Sequence, residues 1–240
     1  FTSESKVAKR LIDDGQLGKL YHARSCGYRR RGRPYVDGYG SDNFVKMDVA
    51  GGGALFDMGV YHISQMLYLL GQPAVARVSG KLYQETEMDP GRREKSGYNV
   101  EELGLGFVHF TGGLTMDIIE SWAIHLNEFE GSSIVGSMGG IRLEPFSYHM
   151  TLSDVLLNAT FDLKEAEFRW HSLRDTEDAY DSAQHHWTAA LQGRVPLLPT
   201  AEIALQTMQI SEGIRLSHQL GREVTADEIE ALSKSTALKL

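Results

Sequence analysis

Asp57, Tyr61, Ser64 and Tyr68 are four polar residues in an otherwise apolar segment, spaced i, i+4, i+7 and i+11. On a helix that spacing places them on one face. The other positions, among them Leu55, Phe56, Met58, Ile63, Met66, Leu67 and Leu70, are apolar most of the way round, as in a buried helix. A carboxylate in such a helix must be paired or face a cleft, because burying it alone is costly. The stripe reads as the wall of an active site. His62 is the side chain type most often used as an acid or base. It lies five residues after Asp57, roughly 140° round the helix, so it points away from the stripe. It reads as a packed or supporting histidine, which an irregular helix would bring into the place of Tyr61.

The stripe needs elements to hold it. Three glycines, 51–53, open a helix expected over 54–70, which Gly71 and Pro73 stop. Upstream, the pattern predicts a helix over 3–14, a strand over 19–28 and a polar excursion over 29–43. Downstream it predicts a strand over 75–83, an exposed loop over 84–97, and strands over 103–110 and 114–122 joined at Thr111-Gly112-Gly113. A second hairpin is expected over 132–137 and 140–143, then strands over 146–152 and 160–170. Helices over 179–191 and 200–220 follow, with Thr200 as N-cap, and a capping box at Thr225–Glu228 opens a terminal helix. This order implies an α+β fold: one unit over 1–240, an open, predominantly antiparallel sheet, and helices packed on one face. An apolar opposite face would need a cover, and a partner subunit is the usual one.

Bulk properties set bounds. The chain has 240 residues, 42% hydrophobic and 23% charged, as in an ordinary globular protein. Its formal net charge of -8 argues against a nucleic-acid binder, which needs clustered cations. Cys26 is the only cysteine, so a reducing, cytoplasmic setting is expected, with the thiol a small buried hydrophobe. No apolar run reaches the ~20 residues of a membrane span. The chain begins at Phe1, almost at once in a helix, which suggests residues removed upstream.

The segment Gly51-Gly52-Gly53-Ala54-Leu55-Phe56-Asp57-Met58-Gly59-Val60-Tyr61 resembles a motif of the glucose–fructose oxidoreductase and inositol dehydrogenase family, Gfo/Idh/MocA. Residues 8–18, Gly71-Gln72-Pro73, 136–140 and 217–224 are similar to further family phrases, in the same order. The resemblance implies the second, substrate-side domain of an enzyme that moves hydride between NAD or NADP and a sugar, polyol or related hydroxyl. The family's first domain, a dinucleotide-binding unit ending near Glu-Lys-Pro, has no counterpart here: Gly51-Gly52-Gly53 lacks the G-x-G-x-x-G spacing. The implied fragment is inactive alone, and a homo-oligomer is expected through the open face of the sheet.

The resemblance also implies roles. An alcohol cannot lose hydride without losing its proton, so a base is required. Many relatives carry His where this chain has Tyr61. Tyr61 is the implied base, and Asp57 the acceptor that orients the hydroxyl. A free tyrosine has a pKa of about 10, so it needs a nearby cation, which the absent lysine would supply. Arg30 and Arg31, within Arg29 to Arg33, suit an anionic substrate group or cofactor phosphates, or equally form a solvated strand end. Lys46, His62 and Trp122 are further substrate-side candidates, though Trp122 also reads as core. Gly52 and Gly53 are candidates for close approach to a cofactor. His185-His186 lacks a third ligand at metal spacing, and no metal is expected. The alternative is a non-enzymatic dimerisation or small-molecule-binding module of the same descent.

Overall fold

The computed structural model describes residues 1–233. The chain runs α1 (Ser3–Asp13), β1 (Leu20–Tyr28), α2 (Met47–Ala50), α3 (Ala54–Asp57), α4 (Gly59–Leu70) and β2 (Val75–Tyr83). It continues through α5 (Pro90–Ser96), β3 (Leu103–Phe110), β4 (Thr115–Ser121), β5 (Ser133–Gly136), β6 (Gly139–Arg142), β7 (Ser147–Leu152) and β8 (Val155–Ala159). It closes with α6 (Leu163–Leu173), α7 (Ala183–Leu191), α8 (Thr200–Leu220), β9 (Val224–Thr225) and α9 (Ala226–Leu232).

The strands form one open sheet in the order β8-β7-β6-β5-β1-β4-β3-β2-β9. Only β1 and β4 are parallel, because β4 returns beside β1 after the helices and a β2–β3 hairpin. Register sorts the residues by face. Ala23, Met116, Val108, Val78 and Ile134 align across five strands and are all buried beneath the helices. Their neighbours His22, Arg24, Asp117 and Phe107 lie on the opposite face. There Asp117 accepts from Arg24 Nε at 2.7 Å and contacts His22 Nε2 at 3.0 Å. The fold is α+β, with the helices on one side of a predominantly antiparallel sheet.

Helix α8 sits close on the sheet. Ile214 fills space that glycines leave open: a Cβ on Gly80 would stand 2.6 Å from its Cγ2, and one on Gly106 2.3 Å from its Cδ1. Gly221 ends α8 in the left-handed conformation, and the capping box of Thr225 and Glu228 opens α9.

Several expectations need correction. The loop expected over 84–97 contains α5. Its signals were local: Asp89 accepts from the Arg92 amide, Pro90 starts the helix, and Gly97 ends it at φ 67°. The strand expected over 160–170 is instead α6, whose N-terminus Asp162 caps. Its Lys164-Glu165-Ala166-Glu167 run favours helix over a three-residue apolar alternation. Lys6 and Ser3 of α1 then fix Glu167, at 2.9 and 2.8 Å. The strand in this region is β8, hairpinned to β7 through Ser153 and Asp154, both at positive φ. The helix expected over 54–70 is broken at Met58. The helix expected over 179–191 starts at Ala183, and Thr200 is the first helical residue rather than the cap. Residues 234–240 of the unit expected over 1–240 lie outside the described residues.

Ile214 is fully buried between α8 and two strands. Ile214→Ala will cost about 2–5 kcal/mol, the usual range for a core truncation that cannot collapse, as read from the urea-unfolding midpoint.

Candidate active site

The site begins at the turn into α3. A helix N-terminus leaves amide groups without intrahelical partners, and here no local side chain caps them. Glu101, just before β3, does so from across the fold. Its Oε1 accepts from the Gly53 amide at 2.8 Å and the Leu55 amide at 3.1 Å, while its backbone oxygen accepts from Ala54 at 3.1 Å. A Cβ on Gly53 would lie 2.0 Å from that backbone oxygen, so the motif's third glycine makes room for Glu101. Burial pushes the Glu101 carboxyl pKa up, against the backbone hydrogen bonds it accepts. At Gly52 the space for a Cβ is taken by the Phe56 ring. Both glycines make their close approaches to the chain itself.

Asp57 ends α3. Its Oδ2 accepts from the indole Nε1 of Trp122 at 2.9 Å. Trp122 follows β4 directly and is 0% exposed, so it reaches the site only through that carboxylate. After Asp57 the chain tightens: the Tyr61 amide donates to Met58 at 3.0 Å, and α4 begins. Tyr61 stands one turn beyond Asp57 and is 68% exposed. The structure thus leaves Asp57 half-buried and anchored, and Tyr61 open.

His62 turns inward. Its Nδ1 lies 2.9 Å from Oε2 of Glu120 in β4, and Ser25 donates to the other oxygen at 3.4 Å. Glu120 is 0% exposed. Burial alone would lower the His62 pKa, but the hydrogen bond and charge of Glu120 outweigh it and raise the pKa. His62 also lines a cleft of about 780 Å³ with Tyr28, Arg29, Met58, Ser132 and Glu144. The helix is irregular at Met58, yet His62 does not take the place of Tyr61.

The excursion after β1 packs beside Asp57. The Arg29 guanidinium lies over the Tyr39 ring, 5.1 Å from its centroid, and donates to the Tyr39 hydroxyl. Burial pushes the Tyr39 phenol pKa up, and the charge of Asp57 adds to this against Arg29. Arg30 is exposed, and its backbone oxygen accepts from Ile124 at 3.2 Å. Arg31 is exposed and paired with Asp37 at 3.0 Å. Lys46 pairs with Asp42 at 2.6 Å, four residues before it.

Arg33 is different: it is buried and fully engaged. It donates to Asp37 and Glu102 at 2.9 and 3.0 Å, and to the backbone oxygens of Thr86 and Glu87 at 3.1 and 3.0 Å. It belongs to the scaffold, stitching the excursion to the segment after β2. Sequence reasoning missed the three buried glutamates that do the positioning, Glu101, Glu102 and Glu120. Glu120 carried a signal, a carboxylate directly after Ile118-Ile119 in a strand. Cys26 is buried, and burial holds its thiol at a pKa of about 11, well away from a nucleophile. His186 is buried and spoken for, its Nδ1 at 3.2 Å from the Ala179 oxygen and its Nε2 accepting from Leu198 at 3.0 Å.

Removing Arg33 would take the buried guanidinium from two carboxylates, leaving Asp37 with the exposed Arg31 and Glu102 with backbone amides alone. Arg33→Met is expected to cost about 3–5 kcal/mol, the range for breaking a buried ion pair. Burial favours a neutral Asp37, but Arg33 and Arg31 hold its carboxyl pKa below the ordinary 3.8. Its contribution is therefore present above that value and lost as pH falls through the folded pKa. Acid titrations of unfolding will show this component in the native chain and lose it in Asp37→Asn.

Comparison with known proteins places this geometry. Residues 6–142, more than half of the chain, match the GFO/IDH/MocA C-terminal domain. D-glucoside 3-dehydrogenase of Escherichia coli (strain K12) is 27% identical over 152 residues, which are 60% of this chain and 42% of that enzyme. Aldose-aldose oxidoreductase from Caulobacter crescentus, crystallised with glycerol, superposes with TM-score 0.66 at 18% identity, covering 94% of this chain and 61% of that one. Levoglucosan dehydrogenase in complex with NADH and levoglucosan superposes with TM-score 0.68 at 16% identity, covering 93% and 63%. The chain spans less than two thirds of each of these proteins. With its glycine turn, its Asp57–Tyr61 spacing and this match, the chain belongs to the Gfo/Idh/MocA family.

Proposed function

We propose that this chain is the substrate-side domain of an NAD(P)-dependent oxidoreductase acting on a hydroxyl of a sugar, polyol or similar molecule. One observation carries the reading: Asp57 is fixed through Oδ2 by a buried indole, with Tyr61 one turn away on the open side. A carboxylate held by one oxygen keeps the other for a substrate hydroxyl. The names of the relatives, a glucoside dehydrogenase and a levoglucosan dehydrogenase, support the substrate class.

Among the described residues no strand–glycine-rich turn–helix cradles a pyrophosphate, so these residues do not fit a dinucleotide. The cofactor, NAD or NADP, belongs to a domain outside this chain, and the chain alone does not turn over. When bound there, nicotinamide supplies hydride exchange with the substrate carbon. This chain's part is the proton. Asp57 accepts a hydrogen bond from a substrate hydroxyl and sets its orientation. Tyr61 takes the proton of the reacting hydroxyl, or returns it in the reverse direction. Because a phenol near pKa 10 is a weak base at neutral pH, Tyr61 requires a cation beside it, which the family resemblance assigns to a lysine of the missing domain. Arg30, which is exposed, is proposed to contact polar groups of the substrate away from the reacting carbon; for Arg31 and Lys46 the same role would require them to leave their pairings with Asp37 and Asp42.

Asp57→Asn and Tyr61→Phe, each made in the complete enzyme, are expected to lower kcat/KM by roughly 10²–10⁴-fold, the range for general acid–base catalysis. Turnover within about twofold of the native enzyme in both variants would overturn the assignment.

The same reading includes a cytoplasmic homo-oligomer formed through the sheet face opposite the helices. Phe107, 37% exposed, stands in the middle of that face with His109 at 5.1 Å. Phe107→Glu is expected to shift sedimentation toward the monomer while leaving the circular dichroism spectrum unchanged. An unchanged mass would place any interface elsewhere.

A further inference from the structure

The junction between α3 and α4 rests on one point of the sheet. Glu120 of β4 is paired with Gly27 of β1 on one side and Gly104 of β3 on the other. Neither neighbour has a side chain, and both vacancies are filled from the helices above. A Cβ on Gly27 would stand 2.0 Å from the His62 ring and 2.6 Å from Glu120 Oε2. A Cβ on Gly104 would stand 2.9 Å from Leu55. Directly overhead, a Cβ on Gly59 would lie 3.7 Å from the Glu120 Cγ. The two helices come down onto the sheet where Glu120 is the only side chain of its row across β1, β4 and β3.

Two residues further along the same chain, Trp122 holds Asp57. Glu120 and Trp122 therefore grip the helices on either side of the Met58 break, one through His62 and the other through Asp57. Tyr61 lies between the two grips. With only the Trp122 contact, the first turn of α4 would be held by the apolar packing of Ile63, Met66 and Leu67. With both, the spacing between Asp57 and Tyr61 is fixed.

We infer that Glu120 is a positioning residue for the proposed reaction: through His62 and Gly59 it locks the α3–α4 break and thereby sets Tyr61 against Asp57. It touches neither substrate nor cofactor. It acts through His62, whose ring is seated on Gly27, and the bare row on both sides of Glu120 is what lets the break settle. The inference rests on the proposed function only for its effect on turnover; the mechanical part stands on the chain itself.

The test uses both levels. In the 240-residue chain, the Trp122 indole N–H resonance reports the Asp57 contact, although Glu120 does not touch that indole. Glu120→Gln keeps the size and an acceptor for His62 but removes the charge. It is expected to move that resonance and to speed its solvent exchange by roughly tenfold or more, because the break is no longer clamped. In the complete enzyme the same variant is expected to lower kcat by roughly 10–100-fold, the cost of a small misplacement, with KM within about twofold. Glu120→Asp, which keeps the charge one methylene lower, serves the same measurements if the Gln variant does not fold. An unmoved indole resonance with reduced stability would overturn the inference and make Glu120 a purely structural residue. A moved resonance with full turnover would uphold the clamp and overturn its catalytic role. If Asp57→Asn and Tyr61→Phe leave turnover intact, the proposed function fails, and the resonance still decides the clamp.

Discussion

A single hydrogen bond from a buried indole to Asp57 organises this molecule. It requires Trp122 to lie wholly inside the protein while its N–H reaches the surface of α3. That in turn requires β4 to run beneath the helices, parallel to β1 and between β1 and β3. It also requires the helix to end at Asp57 rather than run on, since the carboxylate must turn toward the strand. The break at Met58, the three glycines before it and the placement of β4 are parts of one arrangement. The hydrogen bond fixes one oxygen of a half-buried carboxylate and leaves the other on the open side.

The scaffold around it depends on buried carboxylates used as fasteners. Glu101 caps α3 from a distance, Glu102 joins Arg33 and accepts from the amides of Glu85 and Thr86, and Glu120 holds His62. Each replaces contacts that an apolar core would make with less electrostatic cost. What they provide is direction. A carboxylate accepting two amides at a helix start fixes the helix axis, whereas a leucine in the same place would fix only its distance. The cost is met because every one of the three carboxylates has several donors.

Much of the fold was legible in the sequence, and the exceptions have physical causes. Hydrophobic period gave β2, β3, β4 and α8 because their packing faces are regular. Gly71, Gly221 and the Thr225 capping box marked ends correctly because those signals act within one turn. The α6 segment misled because three aromatic and aliphatic residues happened to alternate, while the cap at Asp162 and the Lys6–Glu167 pair to α1 decided the outcome. The break at Met58 was not legible: it is imposed by Trp122 and Glu120, more than fifty residues away. Of the four-residue stripe, Asp57 and Tyr61 remain one turn apart across the break, while the Ser64 hydroxyl turns back to the Val60 and Tyr61 oxygens and Tyr68 packs against the core. The roles of Arg33 and Glu120 were invisible for a further reason. A charged residue reads as solvated until a topology places its partners, and here those partners come from other strands and loops.

Two places compete for a hydroxylated ligand: the open side of Asp57 and Tyr61, as proposed, and the cleft at His62. We assign the reacting hydroxyl to the first and His62 to the scaffold. A crystal structure of the complete enzyme with nicotinamide cofactor and an unreactive sugar analogue separates them most directly. The hydroxyl at the reacting carbon is expected within roughly 2.6–3.2 Å of both the Asp57 carboxylate and the Tyr61 hydroxyl. A sugar seated instead against His62 in the cleft, with Asp57 and Tyr61 out of reach, would contradict the assignment.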